Sequence, residues 1–155
     1  MRKKFGAYVI SVAAALVVGA ASAAISGGGF DTYKTLRLPP FAPPSAAFPI
    51  VWTVLFILMG LGAAAVYKSA SNKRFDALAV YAAQLAVNFF WSIIFFKFEA
   101  YLSAFIWLIL LLVLIGVMIF RFWGINKAAA VLQIPYFLWT VFAGYLTLSV
   151  YILNK

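Results

Sequence analysis

The side chains best suited to chemistry are amides and indoles placed at helical spacing. Gln84 and Asn88 lie four residues apart and therefore share a helix face, which Trp91 and Phe95 continue. Amides within an apolar run need hydrogen-bond partners. Such amides either join neighbouring helices or line a ligand cavity, and the spacing leaves both interpretations open.

A second group lies near the C-terminus and comprises Gln133, Pro135, Tyr136 and Trp139. Pro135 lacks the backbone donor for the carbonyl four residues earlier, so we expect the helix to bend or open there. Trp52 and Trp139 each lie beside such an irregularity. Interfacial belts are a common place for tryptophan, and a ligand site is the alternative for these two.

Several kinds of chemistry are excluded by what the sequence lacks. It has no cysteine and no histidine, and its three acids, Asp31, Asp76 and Glu99, fall at predicted helix ends or in loops. Disulfides, thiolate chemistry and His-based acid–base catalysis are therefore excluded, and we expect no metal site. Proton relays and ion-coupled pumps usually need an ionisable group inside the membrane. Ion-coupled transport and hydrolysis are both disfavoured.

The composition indicates which elements position these groups. The chain has 155 residues, of which 67% are hydrophobic, and its mean hydropathy is +1.08. Soluble domains are about 45–50% apolar. A transmembrane helix needs roughly 20 apolar residues, and five such runs fit this chain. We predict an all-α integral membrane bundle of five transmembrane helices, forming one domain over residues 1–155, with a long first loop.

The apolar runs set the bounds of the predicted helices. These are Phe5–Ile25, Phe48–Tyr67, Phe75–Phe96, Tyr101–Phe122 and Lys127–Leu153. The basic start and the small residues Ala21-Ser22-Ala23 also describe a cleaved signal peptide. The first run is longer than the usual h-region of about 7–15 residues, which favours a retained helix. The glycines at 27, 28 and 29 are expected to end it.

The first loop, over residues 27–47, is the only long one in the prediction. Four prolines between residues 39 and 44 prevent a helix and force the chain to turn. Pro49 fits the first turn of the second helix, because its missing N–H has no partner there anyway. Long loops often serve as lids. We therefore predict that this loop forms a stiff lid and that Trp52 lies in the first turns of the helix that follows it.

The net charge of +9 is best explained by membrane topology. The cations flank the apolar runs and form no basic face, so we expect no nucleic-acid partner. With the N-terminus inside, eight of the 12 Lys and Arg residues lie on the inner side. The positive-inside rule therefore predicts an inner N-terminus, an outer C-terminus and an outer proline loop. We expect a multi-pass protein of a bacterial cell membrane.

Two further patterns concern the surface of the bundle. Trp107 and Trp123 fit an interfacial belt, and the fourth helix reads as lipid-facing or as packing surface because it is almost entirely apolar. Small residues recur four apart on the third helix, which suits close contact within or between subunits. These residues are Ala79, Ala82, Ala83 and Ala86.

Three blocks, in order and with matching spacing, resemble the TspO/MBR family of tryptophan-rich sensory proteins and translocator proteins, also called peripheral-type benzodiazepine receptors. The first block lies in the first loop and second helix, the second in the third helix, and the third in the fifth helix. Their residues include Tyr33, Pro43-Pro44, Val51-Trp52, Gln84, Asn88, Trp91, Pro135-Tyr136, Trp139 and Ala143. The chain departs from the family pattern at Phe41 and Ala46, where tryptophan is usual.

The resemblance implies a five-helix bundle, commonly a homodimer in membrane lipid, with a pocket under the first loop. It implies binding of protoporphyrin IX, haem, sterols and benzodiazepine-site ligands, with no required cofactor. By matching position, the ligand-binding residues would be Tyr33, Trp52, Phe56, Asn88, Phe89, Trp91, Trp139 and Ala143. We expect Trp52 and Trp139 to wall one cavity.

Three functions follow as expectations from this resemblance. The first is a membrane protein that binds porphyrins, other tetrapyrroles and lipophilic ligands, with a role in tetrapyrrole sensing or regulation. The second is light- and oxygen-dependent degradation of protoporphyrin IX, in which Trp52 and Trp139 would be the catalytic residues. The third is a small-molecule transporter. Without His or Cys as a strong axial ligand, porphyrin is expected to be held by shape and stacking rather than through iron.

Overall fold

All five apolar runs fold as helical segments long enough to cross a membrane, which confirms the all-α bundle. A computed structural model describes residues 2–27 and 29–155. In chain order the helices are α1 (Arg2–Ile25), α2 (Phe30–Thr35), α3 (Ala47–Tyr67), α4 (Arg74–Ser92), α5 (Tyr101–Trp123), α6 (Lys127–Val131) and α7 (Ile134–Leu153). A π-helical turn, Ile93–Lys97, follows α4.

The fifth predicted helix is interrupted where proline required it to open. Helix α6 ends at Val131 and α7 begins at Ile134, with Pro135 in the first turn of α7. Asn126 caps α6, since its side-chain oxygen accepts a hydrogen bond from the Ala129 N–H at 3.0 Å. The expected opening at Pro135 is confirmed.

The last turn of the third predicted helix is π-helical rather than α-helical. The backbone N–H of Phe98 donates to the carbonyl of Ile93 at 3.1 Å, which is the wider spacing of a π-turn. The chain then reverses at Glu99, whose φ is +50°. The sequence predicted a regular helix through Phe96, and the structure corrects this to α4 followed by the π-turn.

The long first loop contains helix α2, which the sequence analysis did not predict. Gly27 and Gly29 have φ values of +75° and +53°, conformations that glycine adopts without strain. The first helix ends just before these glycines, as expected, while Gly28 lies outside the described residues. Asp31 in the first turn and Lys34 in the last turn of α2 complement the helix dipole.

Helix α1 packs closely against α3 because Gly60 leaves room for a backbone. A Cβ on Gly60 would lie 2.5 Å from the Cα of Val12. At the same level the Ser11 hydroxyl donates to the Gly60 carbonyl at 2.8 Å. Small residues permit this kind of approach between transmembrane helices, so the sequence of α3 sets the position of α1.

Helix α5 lies against α4, α6 and α7 and supplies much of the core. Leu108, Leu111 and Ile115 are buried on one face, whereas Val113 and Phe120 are exposed on the other. The fourth predicted helix therefore serves as packing surface on its buried face and presents apolar side chains to lipid on its exposed face. Large apolar side chains cover the outside of the bundle, as lipid contact requires. The protein is an integral, multi-pass membrane protein.

Candidate ligand-binding site

A cavity of about 270 Å³ lies beneath the first loop, between helices α1, α3 and α4. Its wall is mostly apolar and aromatic, with a few hydroxyl, amide and indole groups. Five of the eight predicted ligand-binding residues line it, namely Tyr33, Trp52, Phe56, Asn88 and Trp91. An apolar cavity with a few polar groups is the usual form of a small-molecule site.

Tyr33 joins the loop to the cavity and fixes the shape of the lid. Its hydroxyl donates to the Pro43 carbonyl at 2.7 Å, which ties α2 to the proline segment. Its ring meets Phe48 edge-on, with the ring centroids 5.0 Å apart. Burial raises the pKa of the Tyr33 phenol above its ordinary value of 10.0. The phenol therefore stays protonated at neutral pH and keeps its donor.

Trp52 lies at the centre of an aromatic cluster on the cavity wall. Its ring centroid is 5.7 Å from that of Phe56 and 6.2 Å from those of Trp91 and Tyr136. These separations are typical of offset and edge-on aromatic contacts. The start of α3 therefore presents the indole inside the bundle, as the position of Pro49 predicted.

Helix α1 forms a wall of the cavity that the sequence analysis missed. Gly19, Ser22 and Ser26 all line the cavity, and Gly19 packs directly on the ring of Phe56. The Ser22 hydroxyl donates to the carbonyl of Phe89 at 2.7 Å, which joins α1 to α4. The abundant small residues of the first run were the available signal, because they permit close approach of the helix to a ligand.

The π-turn contributes Phe96 to the wall, and this residue was also missed. A Cβ on Gly29 would lie 2.9 Å from the Phe96 ring, so the left-handed glycine is fitted against that side chain. The widened turn changes the direction of the side chains that follow it. Sequence spacing on a regular helix had no means of predicting this.

The two amides of the third helix take different roles. The Asn88 amide nitrogen donates to the Tyr136 hydroxyl at 2.6 Å, and that hydroxyl donates to Gln84 Oε1 at 2.7 Å. Gln84 is buried away from the cavity and joins α4 to α7. Asn88 makes the same link and also lines the cavity. Joining helices is therefore confirmed for both amides, and Asn88 alone also lies in the cavity wall.

Three predicted ligand-binding residues lie outside the cavity lining: Phe89, Trp139 and Ala143. Trp139 packs on Phe48, with ring centroids 5.9 Å apart, and of these two residues only Phe48 lines the cavity. The expectation that Trp52 and Trp139 wall one cavity is therefore wrong for the cavity seen here. Ala143 packs in a core cluster with Trp91, while Phe89 offers its backbone carbonyl to Ser22.

The remaining tryptophans divide between core and surface. Trp107 was expected in an interfacial belt, but its indole N–H donates to the Val87 carbonyl at 2.7 Å and joins α5 to α4. Trp123 is exposed, with the ammonium of Lys127 lying 5.7 Å from its ring centroid, as suits an interfacial residue. The Trp107 side chain is half-buried, and its hydrogen bond to α4 adds a packing role to the predicted belt position.

The described residues contain no cluster of metal-binding side chains. Among residues 2–27 and 29–155, no group of three or more His, Cys, Asp or Glu side chains could hold a metal ion. The cavity wall instead carries serine hydroxyls, the Asn88 amide and indoles. These groups can stack on a flat ligand and make a few hydrogen bonds to it.

An aromatic cavity between membrane-length helices, covered by a folded loop, defines a polytopic membrane protein with an internal cavity. Comparison with known proteins agrees with that class, since the TspO/MBR family profile matches residues 8–153. The chain belongs to the TspO/MBR family.

Three relatives illustrate the breadth of the similarity. The chain is 34% identical to Protein CrtK of Rhodobacter capsulatus over 97% of its own length and 92% of that protein. It is 36% identical to the tryptophan-rich protein TspO of Chlorobaculum tepidum, covering 79% and 78% of the two chains. It is 32% identical to the translocator protein of Ovis aries, covering 79% of this chain and 74% of that protein.

Proposed function

We propose that this protein binds porphyrins, other tetrapyrroles and further lipophilic ligands in the cavity beneath the first loop, and that it takes part in tetrapyrrole sensing or regulation. The observation that carries the proposal is the wall around Trp52, where aromatic rings surround a space with few polar groups. Flat apolar molecules gain most from such walls. Family membership supports the same ligand classes, sterols and benzodiazepine-site compounds included.

The size of the cavity divides these ligands into two groups. Sites for drug-sized molecules usually measure about 300–1,000 Å³, and the cavity here measures about 270 Å³. A small bicyclic ligand matches this space, whereas a porphyrin macrocycle exceeds it. We propose that porphyrin binding displaces the loop over Tyr33 and Pro43. The position of the lid would then differ between the tetrapyrrole-bound and the free protein.

Titration of the purified protein in lipid nanodiscs tests the binding. Protoporphyrin IX and an isoquinoline carboxamide should each bind saturably, and Trp52→Leu should weaken both by about tenfold because one stacking wall is lost. Trp123→Leu is the matched control, since Trp123 is an exposed tryptophan remote from the cavity. Absence of saturable binding, or an equal loss in both variants, would contradict the proposal.

Photo-oxidative degradation of protoporphyrin IX is a second candidate, favoured by the close indoles of Trp52 and Trp91. Light would excite the porphyrin, the excited porphyrin would lose electrons to dioxygen, and the indoles would relay those electrons without a net change in their own oxidation state. Illumination in air should then give a protein-dependent product that disappears in Trp52→Phe. Because Trp139 does not line the cavity, Trp139→Phe should have the smaller effect. Bleaching equal to that in empty nanodiscs would leave binding alone.

A homodimer is the assembly that the alanine face of α4 supports. Ala79, Ala82, Ala83 and Ala86 are all exposed on the outside of the bundle, so their contact is not within the subunit. Small residues let a second helix approach closely. In this cysteine-free chain, Ala83→Cys should form a disulfide-linked dimer on mild oxidation. Val113→Cys, on exposed α5 surface, should not, and equal cross-linking of both would reject this interface.

A further inference from the structure

The tip of the lid has a strained backbone that carries an aromatic side chain. Residues 39–42 form a tight turn, in which the Ala42 N–H donates to the Pro39 carbonyl at 3.3 Å. Phe41 is the third residue of this turn and has a φ of +66°. Because Pro40 precedes it, the turn is type II, whose third position favours glycine or asparagine. Phenylalanine is held there in a conformation that its Cβ disfavours.

The ring of Phe41 points away from the rest of the subunit. Its side chain is 91% exposed, the largest fraction among the large apolar side chains that the structure describes. Strained residues persist where the surrounding structure or a function requires them. Because the subunit does not bury this ring, a contact that compensates for the strain must lie outside the subunit.

Hydrogen bonds to α7 give the depth of this turn. The Arg37 N–H donates to Asn154 Oδ1 just beyond the end of α7, whereas the Pro40 carbonyl accepts from the Tyr145 hydroxyl at 3.0 Å. Asn154 and Tyr145 are nine residues apart in sequence, which corresponds to a rise of about 13 Å along a helix. Residues 37–40 therefore run along α7 from its end toward its middle.

The face of α7 beside the turn is apolar and exposed. Leu138, Val141 and Tyr145 follow one another at spacings of three and four residues, and all three are exposed. No charged residue occurs in α7. Such a face on a membrane-length helix contacts lipid. Phe41 directly follows Pro40, which is bonded to Tyr145, so its ring lies beside this lipid-facing surface.

The backbone of residues 39–44 is adapted to surroundings with little water. Four of these residues are prolines, which have no N–H to leave unpaired. Every one of the four proline carbonyls accepts a hydrogen bond, from the Ala42 N–H, the Tyr145 hydroxyl, the Tyr33 hydroxyl and the Ala47 N–H. Backbone groups in lipid must be satisfied within the protein, and residues 38–67 contain no charged side chain. The turn can therefore enter the edge of the bilayer at low cost.

We infer that the ring of Phe41 inserts between phospholipids on the lid side of the bilayer and anchors the lid there. The partner is the acyl region just below the headgroups, where an apolar side chain leaves water without carrying its backbone to the hydrocarbon centre. The membrane thereby holds the lid in addition to its hydrogen bonds with α7. The inference rests on the membrane fold and is independent of what the cavity binds.

Spin labels on single cysteines test the position of the ring in phosphatidylcholine nanodiscs. Dioxygen concentrates in lipid, whereas a polar nickel chelate stays in water. A nitroxide on Phe41→Cys should show a ratio of oxygen to nickel collisions about fivefold higher than one on Lys34→Cys, a charged and exposed position of the lid. Val141→Cys, on the lipid-facing surface of α7, supplies the ratio expected in lipid.

Two outcomes of this measurement would overturn the inference. Free access of the nickel chelate to the label at position 41 would place the ring in water. Shielding of that label from both reagents would show that protein covers the ring, as a second copy of this chain would.

Substitution of the ring tests whether it holds the lid. Phe41→Asn removes the ring and suits the positive φ better than phenylalanine does, so the turn itself should be preserved. Trypsin should cleave this variant at Arg37 about threefold to tenfold faster than the wild type in nanodiscs, because the lid has lost its lipid contact. Phe41→Trp keeps an aromatic anchor and should be cleaved no faster than the wild type.

Phe120→Asn is the matched control, because it makes the same change at an exposed phenylalanine of α5 outside the lid. It should leave cleavage at Arg37 unchanged. Wild-type cleavage of Phe41→Asn, or an equal rise in Phe120→Asn, would overturn the anchoring role of Phe41.

Discussion

At the scale of single residues, two glycines of the bundle have opposite surroundings. A Cβ on Gly60 would lie 2.5 Å from the Val12 Cα and 2.8 Å from its N, and backbone atoms of a packed helix do not move cheaply. A Cβ on Gly116 of α5 would meet nothing within 4 Å. The same chemical change should therefore have opposite effects at the two sites.

Gly60→Ala should destabilise the protein by about 1–3 kcal/mol, because overpacking forces α1 away from α3. Gly116→Ala should be neutral or stabilising by about 0.5–1 kcal/mol, since alanine orders the helix backbone better than glycine does. Thermal unfolding in detergent would measure both. A stable Gly60→Ala variant with unchanged ligand binding would show that the α1–α3 contact is looser than the geometry requires.

At the scale of elements, the C-terminal end of α7 holds the lid. The Arg37 N–H donates to Asn154 Oδ1 at 2.9 Å, and Asn154 Nδ2 donates back to the Arg37 carbonyl at 3.0 Å. Tyr145 adds a hydrogen bond from its hydroxyl to the Pro40 carbonyl at 3.0 Å. The lid is thus fastened to α7 outside the cavity and to itself by Tyr33 within.

Asn154→Ala should free the segment around Arg37 and expose it to trypsin. Cleavage tracks the population of the locally open form when opening is fast, so losing two hydrogen bonds at an exposed site should raise the rate about threefold to tenfold. Ile152→Ala is the control, because Ile152 is exposed at the same helix end and makes no lid hydrogen bond. Equal cleavage of both variants would show that Asn154 does not hold the lid.

At the scale of the whole molecule, charge and apolar surface together define how the bundle sits in lipid. Lys68, Lys73, Arg74, Arg121 and Lys127 lie at one end of the bundle, between or beside helix ends. Lys34, Arg37 and Lys97 lie in the connections at the other end, which also holds the lid. The larger cluster predicts the inner side.

Single cysteines in this cysteine-free chain can test that orientation. A membrane-impermeant maleimide applied to intact cells should label Lys34→Cys in α2 and should leave Lys73→Cys unlabelled until the cells are lysed. The reverse pattern would place the lid on the inner side and would contradict the charge-based orientation.

The sequence by itself determined the membrane bundle, the five spans and the opening at Pro135, while the resemblance to the family supplied the predicted cavity residues. The first three follow from rules that act within one segment, namely apolar length and a missing backbone donor. Helix α2 is short, and its helical signal lies in its charged residues rather than in an apolar repeat. Apolar periodicity therefore did not predict it.

Only the tertiary structure decided which side chains share the cavity. Trp139 lies outside the lining and packs on Phe48 from another helix, whereas Ser22 lines the cavity because Gly60 and Gly19 bring α1 close to α3. The hydrogen bonds that join Asn88 and Gln84 to Tyr136, and Gln84 to Met59, link three different helices. Spacing along one helix fixes a face, but contacts between helices fix what that face meets.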